Sequence, residues 1–367
     1  MSNAANFGVM NMLNSITKSL WLLGFSVVIC CVIYPAVMWA IGQAVFPFQA
    51  NGSMVKADGS RVARPDGTEV GSLLIAQPFT KAEYFQPRPS ACSYDASASS
   101  SQAWAASNYQ LRNRVATQLG PIVTYKSGPK AGQPVAPDIE AWFQKDQFQG
   151  SASIVAQWAD AHNGLAQAWV TGDSSGAHAQ YITDWQKTHQ AVVQQFIKDN
   201  PATPQPQPSD LAVVFFETFS KENPGKFPSG VTYNPPTTLP SGVPATQPTT
   251  IIQPVNTGSD IQSIFFDMWR QDNPNADLQD VPGDFATTSG SGLDPNITLQ
   301  NAEFQLPGIA AQWAQDTKRD AATITKEIEE ILQKDASAPM GGLWGEKIIN
   351  VLRVNLELRQ KYGAPAS

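Results

Sequence analysis

The stretch most suggestive of chemistry is Ser289-Gly-Ser-Gly-Leu-Asp-Pro295, Gly-rich and acidic, followed by a helix that Thr298 would cap. Backbone N–H groups at a helix start attract anions, so one reading is a cradle for phosphate or carboxylate. The other is a tight turn in which Asp294 or Thr298 caps the helix. No Walker A lysine accompanies the loop, and a lone Gly-rich loop is a weak phosphate signal. His162, His178 and His189 are the three histidines. They lie too far apart for a helical metal pair and have no cysteine nearby, so surface or capping roles are expected. Glu217 and Asp267 could pair for acid–base work. They also occupy equivalent positions of a duplicated helix, which accounts for them without chemistry. No D-K-T-G motif occurs, and residue 289 is Ser where a G-x-S-x-G elbow would need Gly. By its own residues the chain is not an enzyme.

These residues need a scaffold, and composition bounds it. The chain has 367 residues, with 24 Lys and Arg against 31 Asp and Glu, a net charge of −7. Phosphate neutralisation needs basic clusters, so no nucleic-acid partner is expected. Ten Trp and seventeen Phe can build a core. Of the three cysteines, Cys30 and Cys31 sit in an apolar run and Cys92 stands alone, so no disulfide framework forms.

No charged residue occurs between Lys18 and Lys56, and Leu20–Val45 is apolar for longer than a bilayer crossing requires. A retained anchor is expected over a cleaved signal peptide, whose apolar core is shorter. Pro35 should kink this helix or mark where it meets neighbouring protein. Gly24 and Gly42 offer small surfaces to another helix. Lys18 precedes the span and Lys56, Arg61 and Arg64 follow it, so charge alone does not orient the chain.

Beyond the span, Gly71–Gln77 reads as a short buried strand and Phe85–Ser90 as extended chain, because Pro87 and Pro89 forbid a helix. Ser93–Ser107 reads as a surface loop, and Asn108 caps a helix to Leu119. From 122 to 280 helical patterns (Asp138–Phe148, Ile154–Val170, Tyr181–Lys198, Leu211–Lys221, Ile261–Arg270) alternate with Pro-rich connectors. Pro201–Pro208 and Pro224–Pro254 are expected to lack regular structure. A unit recurs there: Phe196-Ile-Lys-Asp-Asn-Pro201, Phe219-Ser-Lys-Glu-Asn-Pro224 and Trp269-Arg-Gln-Asp-Asn-Pro274. Asp210 and Asp260 are expected to cap the last two copies, and Asn-Pro to stop all three. Thr298–Ala314 should be a helix interrupted or kinked at Pro307, and Ala321–Lys334 an amphipathic helix. Periodicity leaves Ile348–Leu358 open between strand and helix.

Several of these residues also carry a family resemblance. Tyr34-Pro35, then Phe46-Pro-Phe-Gln-Ala-Asn-Gly-Ser53 directly after the span, resemble the KdpC subunits of Kdp potassium-importing P-type ATPases. The match continues through Gly71-Ser72, Ile75-Ala-Gln-Pro-Phe79, Tyr84-Phe85 and Arg88-Pro-Ser-Ala91. It resumes at Thr288–Pro295, Ile297-Thr298, Ala302, Gln305, Gly345, Asn350-Val-Leu352 and Asn355-Leu356. Two blocks, 19–120 and 281–358, carry the motifs in the family's order, and the interval resembles the insertion of long-form members. The chain departs from the pattern at Ser99-Ser-Ser101, where a Gly-Gly turn is usual, at Gly308, near a missing Arg, and at Arg353, where Glu is common.

The resemblance implies a single N-terminal transmembrane helix and an α+β extracytoplasmic domain carrying a mainly helical, Pro-rich insertion. The implied divisions are a cytoplasmic tail (1–18), the span (19–45), two parts of the domain (46–121 and 281–367) and the insertion (122–280). It implies an accessory, non-catalytic subunit of an ATP-driven potassium importer in the cell inner membrane. That subunit is needed for assembly and stability and covers the extracellular entrance. Implied partners are a potassium-channel-like subunit, a catalytic P-type ATPase subunit, a small membrane subunit and the lipid bilayer. The alternative is a regulator that raises the ATP affinity of the catalytic subunit. No cofactor is then held firmly, and ATP would be met by Ser289, Ser291, Gly292, Asp294 and Gln305. A net negative outer domain would also focus potassium near the entrance.

Overall fold

The computed structural model describes residues 2–102, 104–105, 107–233, 249–338, 342 and 345–365, with side chains from residue 15 onward. Two compact units result, Met1–Ala103 with Val281–Ser367, and Trp104–Asp280.

The first unit begins with a helix that starts at Ser2, so the region read as a tail is helical and continuous with the apolar run. Ser15–Val45 is long and apolar enough to cross a membrane, and none of its apolar window is buried within the chain. The helix accommodates Pro35 by widening. Val28–Ile33 forms a π turn, and the Tyr34 N–H reaches back to Ile29 O. That turn relieves the clash a proline ring makes with the carbonyl four residues earlier.

After this helix, Met54–Lys56 pairs antiparallel with Glu69–Ser72. The expected strand 71–77 is therefore displaced. It ends at Ser72, and Leu74 is exposed. Asn296–Thr298 pairs with Ile348–Asn350, residues from opposite sides of two intervening helices, Leu299–Thr317 and Ala321–Asp335. The open tail question resolves into both answers, since Val351–Tyr362 is a helix directly behind that strand. Thr298 caps as expected, accepting the Asn301 N–H at 3.0 Å. Pro307 does not interrupt its helix, which continues to Thr317. Phe85, Ile309, Trp313, Ile324, Ile328, Val354 and Leu358 form the core.

In the second unit three of the five helical patterns are broken once, Ile154–Val170 at His162, Tyr181–Lys198 at His189 and Ile261–Arg270 at Phe265. Leu211–Lys221 is continuous, whereas Asp138–Phe148 ends at Phe143, with Gln147–Phe148 in a short strand. The helix capped by Asn108, Tyr109–Leu119, belongs to this unit rather than to the preceding block. An aromatic core of Trp158, Phe215, Phe216, Phe227 and Phe265 holds it together. One expectation fails here. Within Pro224–Pro254, Phe227–Tyr233 and Thr249–Val255 form a seven-residue antiparallel ribbon, while 234–248 lie outside the described residues. Pro228 sits opposite Pro254, a register position where neither lacks a needed ladder donor.

The Asn-Pro stop holds in all three copies. Asn200, Asn223 and Asn273 each give both backbone N–H and side-chain Nδ2 to the aromatic carbonyl four residues back. The leading aspartates do not cap. Asp210 accepts the Gln207 N–H, and Asp260 lies inside a helix whose N-cap is Gly258.

Candidate functional site

An extended strap, residues 85–91, organises the first unit. With two prolines it cannot join a sheet on both edges, yet Phe85 is fully buried, so its backbone groups need side-chain partners. Helix Val351–Tyr362 supplies Asn355, whose Oδ1 accepts the Phe85 N–H at 2.9 Å while Nδ2 donates to Phe85 O at 2.9 Å. Helix Leu299–Thr317 supplies Gln305, which repeats the device one residue on. Gln86 N–H donates to Oε1 at 2.7 Å, and Nε2 donates to Gln86 O at 3.1 Å and Asn301 Oδ1 at 2.8 Å. Both ends of the Gln305 amide are thus engaged within the fold.

Farther along the strap, Arg88 Nη2 donates to Thr288 O at 2.9 Å and Ser90 Oγ donates to Gly292 O at 2.6 Å. The candidate loop therefore lies against the strap. Ser100 N–H and Ser99 Oγ both donate to Ser291 O, at 3.1 and 3.0 Å. The serines replacing the usual Gly-Gly turn thus bind the loop directly. Ser289 and Gly292 are buried, whereas Gly290 and Ser291 are exposed. Gly292 has φ +72°, and a Cβ there would meet Cys92 Sγ and Ser100 O at 2.8 Å. Asp294 Oδ1 accepts the Asn296 N–H at 3.0 Å, closing a turn.

Between loop and helix stands the strand Asn296–Thr298, so the loop does not abut the helix start. Asp284 already accepts both Thr298 N–H, at 2.8 Å, and Thr298 Oγ1, at 3.0 Å. The structure thus brings Gly292 and Gln305 to one strap, through Ser90 and Gln86, while Ser291 is held by the serine turn and Asp294 by Asn296.

In the sequence Asn355 stands only as part of a motif, and no neighbouring residue marks its clamp on Phe85. The available signal was a buried extended segment without a strand partner. Arg353, the departure at a position where Glu is common, pairs with Asp335 at 3.1 Å and donates to Asp335 O at 3.0 Å. The three histidines each stack on an aromatic ring: His162 on Tyr109, His178 on Trp169 and His189 on Trp185. Among the described residues no group of three or more His, Cys, Asp or Glu is placed to hold a metal ion. Glu217 and Asp267 do not pair with each other. Asp267 takes the Arg112 guanidinium, both oxygens at 2.8 Å.

The first unit is thus one apolar helix, long enough to cross a membrane, leading into a mixed helix-and-sheet domain assembled from two distant stretches of sequence. The chain belongs to the KdpC family, described as the K+-transporting ATPase, c chain, which matches residues 16–141 and 228–360. Among curated proteins it is 48% identical over 89 residues to the potassium-transporting ATPase KdpC subunit of Xanthomonas campestris pv. campestris, covering 24% of this chain and 39% of that one. The KdpC subunit of Clostridioides difficile is 36% identical over 93 residues, 25% of this chain and 41% of its own length. That of Caulobacter vibrioides is 34% identical over 156 residues, covering 39% and 76%. The chain thus spans about two fifths of the first two relatives.

Proposed function

We propose that this chain is a non-catalytic accessory subunit of an ATP-driven potassium importer, acting in assembly and stability of the complex and covering its extracellular entrance. In this reading Ser15–Val45 crosses the cell inner membrane once, with the mixed domain on the extracytoplasmic side. Its partners are a potassium-channel-like subunit, a catalytic P-type ATPase subunit and a small membrane subunit. The observation that carries it is the helix itself, whose apolar window has no part buried by its own chain and is free to face lipid and other helices. The test is purification of the complex through its catalytic subunit with and without this chain. Equal recovery of the remaining subunits, and equal growth on low potassium, would refute it.

A second reading makes the chain a regulator that raises ATP affinity, through Ser289, Ser291, Gly292, Asp294 and Gln305, with ATP bound loosely. One observation favours it: the strap that holds Gln305 also holds the loop, with Arg88 between them. An extracytoplasmic face meets no ATP pool, so the two readings pull apart. Apparent ATP and potassium affinities of the assembled pump carrying Ser291→Ala or Gln305→Ala separate them. A weaker ATP affinity with intact assembly supports the regulator, and no change in either leaves the loop a structural turn.

A further inference from the structure

We infer that the segment just beyond the apolar helix holds the headgroup phosphate of an anionic phospholipid, with Arg61 and Arg64 as its two cations. The inference rests on reading Ser15–Val45 as a membrane span. Phe46 N–H closes the last turn of that helix on Gly42 O at 2.9 Å, and Pro47–Ala50 adds one further turn. Asn51 then folds back. Its Nδ2 donates to Gln43 Oε1 at 3.1 Å and to Ala63 O at 2.8 Å, while Gln43 Nε2 donates to Asn51 Oδ1 at 3.2 Å. Ala63 is thereby tethered to the final turns of the span, and the two arginines flank it in sequence.

The charges of this hairpin are divided unevenly. Asp66 is taken by Lys56 at 2.9 Å and by Thr68, Glu69 accepts the N–H groups of Asp66 and Gly67, and Asp58 accepts the Ser60 N–H. The Asp66–Lys56 pair lies where Lys56 meets Glu69, the end of the ribbon away from Ser53. Arg61 instead lies over the Phe48 ring, 5.2 Å from its centroid. Arg64 is exposed and has no hydrogen bond or ion pair among the described residues. Neither guanidinium has a carboxylate partner among the described residues, and Phe48 and Asn51 tie this stretch to the end of the apolar helix. Phe46, 53% exposed, stands at the end of that helix with its aromatic ring. A guanidinium binds phosphate through paired N–H donors, and acyl chains of the same lipid would lie along Ile41 and Val45.

The full-length chain is reconstituted into mixed phosphatidylcholine and phosphatidylglycerol vesicles and extracted in mild detergent, and its co-purifying lipids are quantified by mass spectrometry. Phosphatidylglycerol is expected above its share of the vesicle. The enrichment should fall by up to about fivefold for each of Arg61→Gln and Arg64→Gln, and be unmoved by Lys326→Gln. Equal enrichment in the double variant, or none in the unaltered chain, overturns the inference. So does displacement by inorganic phosphate well beyond chloride of matched ionic strength, which would make this a free-phosphate site. Retention of the chain in vesicles after an alkaline wash is scored on the same samples. Loss of retention refutes the span and with it this site, whereas retention without enrichment refutes the headgroup site alone. Thermal melts of the variants confirm that they fold.

Discussion

Asn355 stands in for a β-strand beside Phe85. Its side-chain amide takes the Phe85 N–H and returns its own N–H to the Phe85 carbonyl, both at 2.9 Å, from a helix 270 residues away in sequence. The two blocks of the first unit are joined at this point, where the fully buried Phe85 ring enters a core otherwise built from residues 297–358.

Truncating that amide leaves two buried backbone groups without partners. Asn355→Ala should therefore cost about 2–4 kcal/mol. Gln305→Ala acts on a half-buried strap residue and should cost about 1 kcal/mol. Denaturant unfolding of the full chain, followed by tryptophan fluorescence, measures both. Equal midpoints for Asn355→Ala and the unaltered protein would show the clamp to be idle.

Gly292→Ala should loosen the loop whatever the loop binds, because its left-handed backbone and the 2.8 Å approach to Cys92 Sγ leave no room for a methyl group. Cys92 is half-buried against this loop. Its modification by a thiol reagent should accelerate severalfold in the variant. An unchanged rate would mean that the loop tolerates the substitution.

The repeated Asn-Pro stop should behave alike in its three copies. Asn200→Ala, Asn223→Ala and Asn273→Ala each remove a side-chain bond to a terminal carbonyl, and each should cost about 0.5–1.5 kcal/mol. Asp210→Ala and Asp260→Ala, which remove no helix cap, should cost less than their neighbouring Asn variants. Thermal melts of the five variants rank them.

Two histidines of the second unit should give opposite pH dependences. Burial alone would lower the His189 pKa, but Glu222, with its carboxylate 2.8 Å from Nε2, and the Trp185 carbonyl outweigh it and raise it. His189 thus contributes stability that is fully present below the unfolded pKa and lost as pH rises through the folded one. His162 is lowered, chiefly by burial, against the opposing pull of Asp267 and with some help from Arg112. Its contribution is present above the unfolded pKa and lost as pH falls through the folded one. Difference curves of stability against pH, wild type minus His189→Gln and wild type minus His162→Gln, should slope in opposite directions between about pH 5 and 8. Parallel curves would refute the assignment.

Sequence made legible what local chemistry decides. The cap at Asn108, the cap at Thr298 and the apolar stripe Ile324, Ile328, Ile331 and Leu332 all follow from short-range pattern, and the structure has them. The Pro-rich connector misled, because proline excludes a strand only where its missing N–H is required, and opposite Pro254 it is not. The broken helices misled for another reason. Periodicity reports which face is buried, and that face continues across His162 and His189, whereas the backbone does not. The candidate loop was visible as composition. Its contacts were not, since the donors that meet it lie on a strap and a serine turn some 200 residues earlier.

The π turn ahead of Pro35 also sets what the apolar helix can present to neighbours. Gly24 and Gly42 are separated by about five turns of ideal helix, which would stack them on one face. A wide turn at Val28–Ile33 lies between them and retards the winding by about the angle of one residue, roughly 100°. The two glycines are therefore rotated apart, and a Cβ at Gly42 would meet the chain's own Ala50 at 3.4 Å, whereas one at Gly24 would meet nothing within 4 Å. Of the two, Gly24, on the amino-terminal side of the bulge, is the open small surface of the helix, and Gly42 is covered by the turn that follows it.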